Sequence, residues 1–299
     1  MNVLSLFGLL FFAVSAGPSL ADRSISGGGD GMVFLSQATA TTDHAARILR
    51  LSSTLQITGV LSVMQAEGVD YGKTLEAEMF PGKGGAAWDA IVAGIYDTSE
   101  MKSLFDKALI AELSVADLKT LDVIEAFFAS DRGQRILLLE IEARRALLDK
   151  DIENAAKLHV EDLAAMGDPR LDVIREFAQT NDLIEMNVAG ALNANLAFFK
   201  GMAAAGGLQD GMTEDEMLQN VWSQEPAIRT ETETWLYPYL ALAYQPLSDD
   251  DMQAYISFSE LKEGKALNAA VFAGFNLLFT GISDQLGRAA AKQMHGEDI

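Results

Sequence analysis

Among the residue types that carry out chemistry, this chain is rich only in carboxylates. It holds 43 Asp and Glu against 22 Lys and Arg, with three His and no Cys. The histidines, His44, His159 and His295, are widely separated. His159 and Glu161 are the nearest approach to a ligand pair, but residues two apart point to different sides of a helix. The sequence has no Glu-x-x-His of the kind that di-iron helical bundles use, no His-Glu-x-x-His and no Cys pair, so it calls for no metal and no cofactor. A Gly-x-Ser-x-Gly nucleophile turn is also missing. Asp249, Asp250 and Asp251 cannot converge on one cation, and no EF-hand spacing follows them; the run reads as a solvated helix start. The glycines at 27–31 and 82–85 lack the strand before and the Gly-Lys-Ser/Thr after that a phosphate loop needs. Acid–base hydrolysis by paired carboxylates is the one catalytic alternative the composition leaves. Abundance alone places no such pair, so no catalytic residue is assigned.

One stretch stands apart. Trp235, Tyr237, Tyr239 and Tyr244 crowd around Pro238 within a helical pattern. Trp235, Tyr239 and Leu242 fall on one face, and Tyr237 and Tyr244 on another. A helix aromatic on more than one side is either deeply buried or partly a recognition surface. These four residues are the candidates for binding a ligand or a protein partner, and the corresponding alternative is a carrier of a small or apolar ligand in a groove.

The elements that must position them are helices. Apolar residues recur at three- and four-residue intervals from Ile48 onward, and sustained alternation is absent, which predicts an all-α fold. Turns are expected at Gly68–Gly72 and near Asp97–Ser99, and one long helix over 133–166. Gly167-Asp168-Pro169 supplies a helix end, an N-cap and a first-turn proline in succession. Thr213 to Glu216 opens a further helix with an acidic cap.

The chain also repeats itself. Trp88 to Trp222 and Leu113 to Leu247 share one spacing, and Gly133 to Gly264 is three residues shorter. Three residues is close to one helical turn, so an apolar face survives the difference. The reading is two tandem helical repeats, 42–167 and 168–299, each built around a capped helix-turn-helix hairpin.

In the first hairpin, Leu113-Ser-x-x-Asp-Leu is followed by Phe127-Phe-Ala-Ser-Asp-Arg-Gly-Gln134. This segment resembles the bacterial domain-of-unknown-function family 2059, with a looser copy from Trp222 to Arg288. The resemblance implies a small, mostly exported helical domain and no transferable activity. Physical roles account for the motif residues. Ser114 with Asp117, and Ser248 with Asp251, read as capping boxes, and Ser130 as the cap of the hairpin's second helix. Gly133 and Gly264 allow close helix approach. Leu261 stands in place of Ser130 in the second copy, so that break is expected to be softer or the helix continuous. Gly133 is accordingly expected to tolerate substitution less than Gly264.

Residues 1–21 carry no charged side chain: an apolar run from Val3 to Ala16 is followed by Ser19-Leu20-Ala21. This reads as a Sec-type signal peptide cleaved after Ala21, with a Gly-rich flexible leader over 22–41, placing the mature protein in the periplasm or outside the cell. The run is too short to span a bilayer, and no transmembrane segment is expected after cleavage. The net charge of −21 opposes binding to nucleic acid. The sequence therefore points to an exported, non-catalytic helical protein that binds or scaffolds in the cell envelope.

Overall fold

A computed structural model of the chain describes residues 31–208 and 212–296, with only the helical backbone for 31–42. The fold is all-α. Its helices are α1 (Gly31–Thr54), α2 (Ile57–Met79), α3 (Gly85–Ile95), α4 (Thr98–Leu113), α5 (Leu118–Phe128), α6 (Asp131–Ala146) and α7 (Lys150–Met166). Then follow α8 (Pro169–Thr180), α9 (Leu183–Ala204), α10 (Glu214–Ser223), α11 (Glu225–Tyr244), α12 (Asp249–Glu260) and α13 (Lys262–His295). The proposed signal peptide lies outside the described residues. The last part of the expected leader is helical, since α1 already starts at Gly31.

Helix ends follow the capping chemistry of the sequence. Gly167 closes α7 in a left-handed conformation, the Asp168 side chain accepts from the Arg170 amide, and Pro169 opens α8. Thr213 and Glu216 form a reciprocal capping box on α10, and Ser248 and Asp251 form one on α12. Ser130 caps α6 by accepting from the Gly133 amide at 3.1 Å.

Five expectations change. The turn expected at Gly68–Gly72 is the interior of α2, where the missing side chains make room for others. A β-carbon at Gly68 would lie 2.4 Å from the Tyr96 ring, and one at Gly72 2.7 Å from Val92. The expected helix over 133–166 is two, because Asp149 takes extended backbone and caps α7. Ser114 is not a cap: it continues the end of α4 and donates to Ala111 O, while Asp117 alone caps α5. Leu261 keeps a sharp break despite lacking a hydroxyl, with φ −64° and ψ 153° against −69° and 157° at Ser130. The two hairpin glycines are equally tight. A β-carbon would come within 2.3 Å of Phe127 O at Gly133 and 2.2 Å of Phe258 O at Gly264.

One continuous core runs from Ile48 to Ala290, and a small satellite cluster sits under α9, α10 and α11. α6 packs on α11, α13 packs on α4 and along α9, and α7 covers α11 from outside. The two hairpins meet through Phe127 and Phe258, and Arg132 bonds Asp251 at 2.7 Å across the junction. Although no transmembrane segment is expected after residue 21, α13 is long and apolar enough to cross a membrane; 61% of its apolar window is buried in this fold.

Candidate functional site

The polar interior is organised by α6. Its inner face is apolar at Ile136, Leu137, Ile141 and Ala143, yet it also buries Glu140 and Arg144, one turn apart on the same side. Buried charges must find partners, and these do so in different directions.

Glu140 points toward α11 and α12. Its Oε1 accepts from the Tyr244 hydroxyl at 2.7 Å and from Tyr255 at 3.2 Å, while Tyr239 donates to the Glu140 main-chain oxygen at 3.3 Å. The Phe177 ring packs against both Tyr244 and Tyr255. Oε2 has no hydrogen-bond partner among the described residues. Burial pushes the carboxyl up to about 7, and the two tyrosine hydroxyls only partly oppose it.

Arg144 turns toward α2. Its Nε and Nη2 donate to the two oxygens of Glu67 at 2.8 and 2.6 Å, a two-pronged ion pair. Beside it opens a cleft of about 360 Å³, bounded by α2, the end of α3, α6 and the start of α7, α11 and α13. Tyr71, Tyr96, Trp235 and Phe279 bring rings to its wall, and Met64 and Leu147 add apolar surface. Trp235 also stacks on Tyr239 one turn along α11, with centroids 4.8 Å apart and planes 13° apart.

The four aromatic candidates thus part company. Trp235 lines the cleft. Tyr239 and Tyr244 are buried and serve the Glu140 network, which joins them to Tyr255. Tyr237 is half-buried at the edge of the core and does not line the cleft. Glu67, Glu140, Arg144, Tyr71 and Tyr96 were not singled out from the sequence. The available signal was the spacing of Glu140 and Arg144, two charges on the apolar stripe of α6.

A second depression of about 420 Å³ lies between α7 and α11, lined chiefly by Ile152, Ala155, Ala156 and Leu242, with His159 at its side. Apart from the His159 imidazole it has no ring, and none of its charged residues is buried. His44 and His295 lie elsewhere, against the main-chain oxygens of Leu113 and Gly206.

Comparison of the chain with protein-family models, curated proteins and solved structures finds no match.

Proposed function

We propose that this chain is a non-catalytic binding protein of the cell envelope, and that the cleft beside Trp235 is its ligand site. The observation carrying this reading is the cleft itself. It combines several rings with a few fixed polar groups at a volume typical of small-molecule sites. The non-catalytic part is supported by the ties on the carboxylates: Glu140 is sealed among tyrosines away from the cleft, and the three that line it are each in an ion pair, Glu67 with Arg144 through both oxygens, Asp70 with Lys73 and Glu153 with Lys150 and Lys157. The envelope assignment rests on the sequence of residues 1–21 and on the likeness of the first hairpin to family 2059.

In this reading the chain is two related six-helix units, α1–α6 and α8–α13, joined by α7. Several observations support the duplication. Each unit has a non-glycine residue at positive φ between its first two helices, Gln56 at 55° and Asp182 at 49°. Each hairpin has the same glycine contact. The last helix of each unit packs on the fourth helix of the other, α6 on α11 and α13 on α4. The cleft falls where the units differ. In the spacing of the hairpin glycines, Val271 and Phe275 stand in place of Glu140 and Arg144. Phe275 packs on Phe105 at 4.9 Å in an apolar junction. In the same spacing, which also relates the caps Asp117 and Ser248, Trp235 answers to Leu104, which has no ring.

The test is thermal unfolding of the purified protein against a panel of small organic compounds. At least one compound should raise Tm, and Trp235→Ala should abolish the rise without altering the helical content. Turnover of any substrate by the protein would overturn the non-catalytic reading, and binding indifferent to Trp235→Ala would overturn the site.

A further inference from the structure

Resting on that reading of the cleft, we infer that its ligand is an uncharged, flat aromatic molecule of one or two fused rings. The charges of the wall lead to this class. Five charged side chains line the cleft: Glu67, Asp70, Arg144, Lys150 and Glu153. Each is already in an ion pair: Glu67 with Arg144 at 2.6 Å, Asp70 with Lys73 at 2.8 Å, and Glu153 with Lys150 at 2.7 Å and Lys157 at 2.6 Å. The Asp70 and Lys150 pairs are exposed at the rim and cost little to break, but a charged ligand seated deeper would have to compete with the innermost pair, where Arg144 is almost wholly buried. The tyrosines add no charge. Burial raises the phenol of Tyr71 and that of Tyr96, so both stay neutral hydroxyls.

What the wall offers besides is chiefly the half-buried rings of Trp235 and Tyr71, with Tyr96, Phe279 and Met64 buried behind them. Such surface favours offset-stacked and edge-to-face ring contacts. Trp235 is braced for this by Tyr239, whose hydroxyl is in turn bonded to the Glu140 main chain. A braced ring loses little freedom when a ligand settles on it. The site is single, because Leu104 takes the place of Trp235 in the other half.

Three compounds sharing one ring decide the matter: indole, which is neutral, tryptamine, a cation, and indole-3-acetate, an anion. Calorimetric titration of the full-length mature protein at pH 7 should show indole binding once per chain. The two charged compounds should bind at least tenfold more weakly, and Trp235→Ala should abolish indole binding. Tighter binding of tryptamine or indole-3-acetate, lost in Trp235→Ala, would overturn the charge assignment and leave the cleft reading standing. Binding of none of the three overturns the aromatic class. Indole binding that survives Trp235→Ala, or that exceeds one per chain, overturns the site itself.

Discussion

The rings of Phe127 and Phe258 lie face to face, with centroids 4.3 Å apart and planes inclined by 18°. They occupy the same place in their hairpins, six residues before Gly133 and Gly264, whose amides enter the following helices. This contact sits where the two hairpins meet. Tyr255 joins the stack on Phe127 at 5.7 Å, tying the junction to the Glu140 network.

If the stack contributes beyond the area it buries, the two rings must be coupled. Phe127→Ala and Phe258→Ala are each expected to cost about 2–4 kcal/mol. The double variant should fall short of additivity by about 1 kcal/mol. Urea unfolding of the four proteins measures this, and strict additivity would show that the rings merely fill space.

The caps of the two hairpins differ by one hydroxyl on nearly the same backbone. Leu261 has N-cap geometry with no side-chain cap, and its side chain is 45% exposed. Leu261→Ser should therefore add the bond that Ser130 makes to the amide three residues on, raising stability by about 1 kcal/mol. Ser130→Ala should lose a similar amount. A destabilised Leu261→Ser protein would mean that Leu261 contributes more by covering apolar surface than a cap returns.

Glu140 makes stability depend on pH in a defined direction. Its folded carboxyl is pushed up from the ordinary 4.5 to about 7, so between these values the folded state binds the extra proton. Stability from this group is present in full below about pH 4.5 and is lost as pH rises through about 7. The shift is worth about 3 kcal/mol. Glu140→Gln, which keeps the shape and carries no charge, should flatten that slope, and it should be the more stable protein at pH 8. Denaturant melts at pH 5, 6, 7 and 8 check it; a slope unchanged in Glu140→Gln would assign the dependence to other groups.

The parts of this fold that were legible in the sequence are those fixed by local chemistry. Asp168-Pro169, Thr213-Glu216 and Ser248-Asp251 name their own helix starts. What escaped was decided by distant neighbours. Gly68 and Gly72 look like a turn until Tyr96 and Val92 are placed against them. Leu261 looks like a continuing helix, yet Phe258 O and Gly264 are held together as closely as their counterparts in the first hairpin. The cleft was the least legible, since Glu67 lies 77 residues from Arg144 and nothing local pairs them. The charges on α6 could be read as out of place; which partners they would find could not.

The crossed packing of α6 on α11 and α13 on α4 sets an order for synthesis. When Ala146 is added, α6 has no cover for Glu140, whose tyrosine partners are not yet translated. The buried carboxyl can be sealed only after Tyr255 is made, more than 100 residues later. α4 in turn must wait for α13, which begins about 150 residues after α4 ends. The helices up to α6 therefore leave the ribosome before the partners that complete their core, and that core closes only once α13 is made.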